Sequence, residues 1–390
     1  MTDIPQPAAH PEPSRSGGFR SALVDEAALI VAIATAIVMF TVGKSWLSDL
    51  SNPIVFAGLF AAIFAVMVWA SFAAVRHADS LAEMLGEPYG TLILTISVIC
   101  IEVSVISAVM LTGGTDPTLP RDTMLAVLMI VMNGMVGACL LIGGIKYQEQ
   151  DYNLQGARAF LSVLITLVTL TMVLPTFTVS TDDPSLAHNQ AILFSLATIA
   201  LYGAFLAIQT VRHRTFFMEP GSLAGDMAPE HGKHPEGMRT RSLAYHAVLL
   251  VVTLVTIVLL SKKFGILVDE GIAVSGAPKA LGGVVIALLV LAPEGLAAFR
   301  AAAANHLQRA VNICLGSALA TISLTVPAVV LIALATGTHL VLGLEKTELV
   351  MLALTLVISI MTFSGQRTNV LQGVVLLVIF SVYLILIFDP

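Results

Sequence analysis

The segment SVICIEVSVIS, Ser97–Ser107, is apolar on both sides of a single acid, Glu102. A charged side chain at the centre of a lipid bilayer costs about 2.5–3.5 kcal/mol even on lenient insertion scales. An acid inside a membrane segment therefore indicates a functional site by default, and Glu102 is the first candidate in this chain.

The composition predicts a membrane protein. Hydrophobic residues make up 57% of the 390 residues, charged residues only 11%, and the mean hydropathy is +0.92. Soluble proteins carry about 25% charged residues. The net charge of −6 argues against a nucleic-acid partner. We expect many spans through a lipid bilayer, because each needs only about 20 apolar residues.

The apolar windows predict an all-α polytopic protein with about eleven transmembrane helices. The runs are too long and too continuous for the strands of a membrane barrel. The predicted spans are 26–43, 53–75, 90–111, 123–145, 157–175, 190–211, 243–261, 280–299, 309–335, 348–363 and 369–388. Asp269 and Glu270 then fall in an outer loop, and His77 and His246 at span ends.

The distribution of Lys and Arg predicts the orientation. Thirteen of them lie in the N-terminal tail and in the loops after even-numbered spans, against six in the other loops. Cytoplasmic loops carry the excess of positive charge. We therefore expect a multi-pass protein of the bacterial inner membrane, with its N-terminus in the cytoplasm and its C-terminus outside.

An internal repeat is indicated around two acids. Gly90 lies twelve residues before Glu102, and Gly282 lies twelve residues before Glu294. These acids fall in spans 3 and 8, so the two helices run in opposite directions. Transporters built from inverted repeats bind their ions near the midplane, where the repeats meet.

The predicted organisation has five parts. They are a disordered cytoplasmic tail (1–22), an extra helix (23–48), a first repeat (49–212), a cytoplasmic linker (213–242) and a second repeat (243–390).

Polar residues follow each acid at membrane depth. Span 4 contains Asn133, and span 9 contains Gly316, Ser317 and further hydroxyls, among them Thr321. Small and hydroxylated residues also serve close helix packing, which accounts for most such positions. Asn133 and Ser317 are the two that we predict to contribute to an ion site.

Two segments resemble the signature repeats of the cation/proton exchanger (CAX) family of the calcium/cation antiporter superfamily. The two segments are LGEPYGTLILTISVICIEVSVIS and LAPEGLAAFRAAAANHLQRAVNICLGSALATISLTVP. The similarity is closest to the bacterial ChaA-type calcium/proton antiporters. The family's two motif glutamates fall on Glu102 and Glu294, and its Gly-Ser pair falls on Gly316 and Ser317. The resemblance implies eleven spans, with one extra helix before two inverted five-helix halves.

The chain departs from the family pattern around both acids. Val98–Ile101 stand where the broad family has Gly-Asn-Ala-Thr, and Leu291–Pro293 where it has Asn-Ala-Ala. Because ChaA-type proteins are also associated with sodium and potassium, the resemblance leaves the transported cation open between calcium, sodium and potassium.

The carboxylate pair suggests a mechanism. Desolvation and mutual repulsion disfavour two bare charges at one buried site. Calcium binds carboxylate and carbonyl oxygens, so Glu102 and Glu294 form the predicted metal site, which holds either the cation or protons. We expect calcium export in exchange for protons, by alternating access, with no cofactor and no enzymatic activity. The alternatives are a sodium or potassium/proton antiporter and, in another class, a passive cation channel.

Overall fold

The computed structural model describes residues 26–47, 50, 52–86, 89–112, 117–220 and 242–389. The predicted tail, 1–22, lies outside the described residues. Most of the predicted linker does as well, since residues 221–241 are not described.

Eleven long helices follow one another in these ranges, one in each predicted span. They are α1 (Ala27–Thr41), α2 (Pro53–Leu85), α3 (Tyr89–Thr112), α4 (Leu119–Tyr147), α5 (Leu154–Phe177), α6 (His188–Arg212), α7 (Leu243–Ser275), α8 (Ala280–Ala303), α9 (Leu307–Thr336), α10 (Lys346–Thr362) and α11 (Val370–Phe388). Eight of them, α2, α4–α9 and α11, are long and apolar enough to cross a membrane. The fold is therefore that of an all-α protein with many membrane-spanning helices.

Polar caps and glycines set the helix ends. The side chains of Asn52, Asn153 and Asn369 accept hydrogen bonds from backbone N–H groups in the first turns of α2, α5 and α11. At the other end, Gly86 and Gly276 follow α2 and α7 with φ angles of 65° and 64°. Only glycine adopts such positive φ angles without cost, so both helices stop there.

The predicted ends of two spans were wrong. Helix α2 continues to Leu85 rather than stopping near residue 75, and α7 continues to Ser275 rather than stopping near 261. The apolar windows end at the first charged residues, whereas a helix continues until a residue breaks it. His77 is consequently buried within α2, and Asp269 and Glu270 lie in α7 and not in an outer loop.

The buried apolar side chains form two clusters. The first lies mainly among α4, α5, α6, α9, α10 and α11, which we call the six-helix core. The second lies mainly among α1, α2 and α7, which we call the three-helix bundle. Helices α3 and α8 contribute to both clusters, with Ile99 and Leu291 in the first and Ile101 and Leu289 in the second. The helices that carry the two acids therefore lie between the two packed bodies.

A short sheet joins loops that are distant in sequence. Strand β1 (Glu149–Asp151), after α4, pairs antiparallel with β2 (Arg367–Asn369), after α10, so that Gln150 lies opposite Thr368. Arg367 forms ion pairs with Glu149 at 3.2 Å and with Asp151 at 2.8 Å. The loops after spans 4 and 10 thus share one side of the molecule, as the predicted orientation requires.

Candidate ion-binding site

Glu102 lies in the middle of α3 and is only 1% exposed. Its Oε2 accepts a hydrogen bond of 2.9 Å from the Thr321 hydroxyl of α9. Its Oε1 is also buried and has no hydrogen-bond partner among the described residues. A buried polar atom without a partner is costly and calls for an explanation. One carboxylate oxygen is therefore available to bind a proton or a cation.

Glu294 occupies the matching position in α8, directly after Pro293. Its side chain is half-buried, and its Oε2 is buried with no hydrogen-bond partner in the described part of the chain. The carboxylates of Glu102 and of Asp79, in α2, both act on it electrostatically. The second acid thus combines an available oxygen atom with a greater exposure than that of Glu102.

Each acid helix packs against a π-helical segment of the other predicted half. Helix α3 contacts the segment Thr321–Thr325 in α9, and α8 contacts the segment Ile130–Met135 in α4. A π-helical turn interrupts the regular hydrogen bonding of an α-helix and is frequent at functional sites. The two acids are therefore surrounded by comparable elements, in a crosswise arrangement.

Asn133 lies within the π-helical segment of α4 and is fully buried. Its Nδ2 donates a hydrogen bond of 2.9 Å to the Thr355 hydroxyl in α10. Its Oδ1 is buried and has no partner among the described residues. Asn133 therefore links α4 to α10 and keeps one amide oxygen unused. No hydrogen bond joins it to either glutamate in these ranges.

Gly316 and Ser317 lie one turn before Thr321 in α9. A Cβ at Gly316 would lie 3.8 Å from the Phe160 ring, which is an ordinary van der Waals distance, so the packing of α9 on α5 does not require a glycine at this position. Ser317 is half-buried, and no hydrogen bond connects its side chain to Glu102 or Glu294 in the described structure. The α9 side chains that do interact with Glu102 are Thr321, which donates the hydrogen bond, and Thr325, one turn further along.

Thr321 and Thr355 are the site residues that the sequence did not single out. Thr321 appeared only among several hydroxyls in span 9, and Thr355 did not stand out. Hydroxyls in helices usually bond to their own backbone, as the Ser323 hydroxyl does to the Leu319 carbonyl at 2.5 Å. The sequence feature that could have singled out Thr321 is its position one helical turn after Ser317, a residue that was already predicted to contribute to the site.

Within the described ranges, no group of three or more His, Cys, Asp or Glu side chains could hold a metal ion. Calcium takes six to eight oxygen ligands. A cation between the two glutamates would therefore also need hydroxyl, amide or backbone oxygens, or water.

Comparisons with known proteins agree with this architecture. Residues 55–211 and 245–388 match the profile of the sodium/calcium exchanger protein family. The sodium-potassium/proton antiporter ChaA of Escherichia coli (strain K12) is 40% identical over 364 residues, covering 93% of this chain and 96% of that one. The Ca²⁺/H⁺ antiporter ChaA of Bacillus subtilis (strain 168) is 25% identical over 245 residues, covering 62% and 67%.

The fold also matches a solved structure. The structure of native YfkE superposes with a TM-score of 0.70 at 19% identity, covering 93% of this chain and 100% of that one. This chain belongs to the sodium/calcium exchanger protein family. Within that family it is a membrane antiporter of the cation/proton exchanger (CAX) group of the calcium/cation antiporter superfamily.

Proposed function

We propose that this antiporter exports a cation from the cytoplasm in exchange for protons, and that Glu102 and Glu294 bind cation and protons in turn. The observation that carries the proposal is that each glutamate keeps a buried oxygen without a hydrogen-bond partner in the described structure. Protonation or cation binding satisfies that oxygen and removes the charge. Since the bare charged pair is disfavoured, the empty site does not cross, and the two fluxes are coupled.

Asn133, Gly316 and Ser317 complete the proposed site. Asn133 offers its unused amide oxygen. Gly316 and Ser317 would supply a backbone carbonyl and a hydroxyl one turn from the bond between Thr321 and Glu102. Calcium would find in this set the hard oxygen ligands it prefers.

We further propose eleven spans and two inverted halves, α2–α6 and α7–α11, after the extra helix α1. Helices α2 and α7 have 33 residues each, and α3 and α8 have 24 each, which supports the pairing of the halves. Alternating access would then be a movement of the three-helix bundle relative to the six-helix core, about α3 and α8. The excess of Lys and Arg in the even-numbered loops supports a cytoplasmic N-terminus in a bacterial inner membrane.

Calcium is the first candidate for the cation, because one divalent ion neutralises the pair of glutamates. Sodium or potassium is the second. The comparison of relatives favours this second candidate. The relative that is named a sodium-potassium/proton antiporter is 40% identical to this chain, whereas the Bacillus subtilis relative that is named a Ca²⁺/H⁺ antiporter is 25% identical.

The test uses everted vesicles from cells that lack their own exchangers. An acid-inside gradient is imposed, and calcium, sodium or potassium is added in turn. We expect one of these cations to collapse the gradient with the wild-type protein and not with Glu102→Gln or Glu294→Gln. Glu149→Gln, at an exposed acid in β1, is the control and keeps activity.

The result also separates the candidates. Collapse by calcium supports the first, and collapse only by sodium or potassium supports the second. Cation flux without any proton movement would instead support a passive channel. Full activity of either glutamine variant would refute the proposed site.

A further inference from the structure

Two acids occupy the same position in the two longest helices. Asp79 lies 26 residues after Pro53, the first residue of α2, and Asp269 lies 26 residues after Leu243, the first residue of α7. Both helices have 33 residues. The match in register extends the repeat seen at the two glutamates to a second pair of carboxylates.

The two helices are antiparallel, which places these acids at opposite ends of the three-helix bundle. The rings of Phe60 and Phe264 lie 5.5 Å apart near one end, and those of His77 and His246 lie 5.4 Å apart near the other. With the N-terminus in the cytoplasm, Asp79 lies toward the cytoplasmic end and Asp269 toward the outer end.

Asp79 lies within electrostatic range of one site glutamate. Its side chain is exposed, and α2 packs against α8, which carries Glu294. Asp79 acts electrostatically on Glu294, and Glu294 is itself half-buried. Glu102, by contrast, is 1% exposed. The glutamate near Asp79 is thus the more exposed of the two in this structure.

Asp269 has the equivalent place on the opposite side. It is half-buried in α7, which packs against α3, the helix that carries Glu102. In the inverted arrangement, the placement of Asp269 relative to Glu102 is equivalent to the placement of Asp79 relative to Glu294. A movement of the three-helix bundle would close the Asp79 side and open the Asp269 side.

From this placement we infer that Asp79 and Asp269 are access residues, one for each side of the membrane. Asp79 attracts the cation from the cytoplasm and passes it to Glu294, and Asp269 does the same from outside for Glu102. An acid at the mouth of a low-dielectric cleft raises the local concentration of cations by roughly tenfold or more. This inference rests on the proposed function and adds the residues that govern access.

The test compares the two faces of the membrane. Everted vesicles present the cytoplasmic face to added cation, and right-side-out vesicles present the outer face. We expect Asp79→Asn to raise the half-saturating cation concentration about tenfold in everted vesicles and to leave it unchanged in right-side-out vesicles. Asp269→Asn should give the opposite pattern, and Asp79→Glu should restore the wild-type value.

The matched control is Glu83→Gln, at an exposed acid one turn further along α2, which should change neither value. An equal change on both faces would mean a structural role and would overturn the inference, as would no change on either face. If Glu102→Gln and Glu294→Gln abolish exchange while Asp79→Asn has no effect, only this inference fails. If those glutamine variants keep exchange, the proposed function itself fails.

Discussion

The hydrogen bond from Thr321 to Glu102 is the most specific contact at the site. It holds one carboxylate oxygen at 2.9 Å and leaves the other available. A hydroxyl that donates to a carboxylate stabilises its charged form. In the proposed mechanism, the contact therefore favours the state of Glu102 that binds a cation.

Thr321→Val removes this donor with little change of shape. A hydrogen bond to a charged group is worth about 1.5–3 kcal/mol, so we expect cation affinity to fall by roughly tenfold or more. Thr321→Ser keeps the hydroxyl and should remain close to wild type. Equal affinities for the valine and serine variants, measured by cation titration of the purified protein, would contradict this role.

The two glutamates could be singled out from the sequence as candidate site residues, because a charge stands out in an apolar segment. Their partners could not, since Thr321 and Thr355 belong to a residue type that is common in membrane helices and usually bonds to its own backbone. Only the packing of α9 on α3 and of α4 on α10 assigns them a role.

At the scale of the helices, polar contacts attach the extra helix to the three-helix bundle. Glu26, just before α1, accepts hydrogen bonds from Arg76 at 2.9 Å and from the Tyr245 hydroxyl at 2.8 Å, and it lies 3.1 Å from His77. His77 in turn lies 3.1 Å from His246. These contacts join α1, α2 and α7 at one end.

Glu26→Ala should release α1 from this end of the bundle. Because it leaves the buried Nε2 of His77 without its hydrogen-bond partner, we expect a loss of about 1–3 kcal/mol of stability, seen as a lower Tm. Tyr245→Phe removes one hydrogen bond and should cost about 1 kcal/mol. An unchanged Tm for Glu26→Ala would show that the contacts are incidental.

The loop between α5 and α6 should respond to acid. The hydrogen bond from Ser185 at 2.6 Å, together with the contact with His339, lowers the pKa of Asp183. Because the pKa of Asp183 is lowered in the folded state, its ionised form stabilises the loop at pH values above the ordinary Asp pKa of about 3.9. This stabilisation is lost as the pH falls through the lowered pKa of Asp183 in the folded protein.

Protection of the backbone amides in residues 178–187, measured relative to their intrinsic exchange rates at each pH, should therefore fall below about pH 4. In Ser185→Ala the change should begin at higher pH, because the largest cause of the shift is removed. An exchange profile that is identical in the two proteins would contradict this assignment.

The number and order of the helices followed from the apolar windows, whereas their ends and internal irregularities did not. Helices α2 and α7 extend beyond their apolar cores because nothing breaks them before Gly86 and Gly276. Apolar periodicity also does not report the π-helical segments of α4 and α9.

At the scale of the whole molecule, the orientation makes a prediction for chemical labelling. With Cys100 replaced by Ala, Ser364→Cys beside β2 should react with an impermeant thiol reagent only from the cytoplasmic face. Val179→Cys, at a position 98% exposed between α5 and α6, should react only from outside. Labelling of both cysteines from one face would contradict the proposed topology.

The whole-molecule arrangement, with the acid helices between two packed bodies, serves exchange only if cation and protons compete for one site. The direct measurement is proton release when cation is added to the purified protein in lightly buffered nanodiscs. Ligation of a metal by a carboxyl group releases its proton. We predict that the transported cation releases protons from the wild-type protein, and that Glu102→Gln and Glu294→Gln each reduce this release. Cation binding without proton release, or undiminished release in both variants, would contradict a shared site.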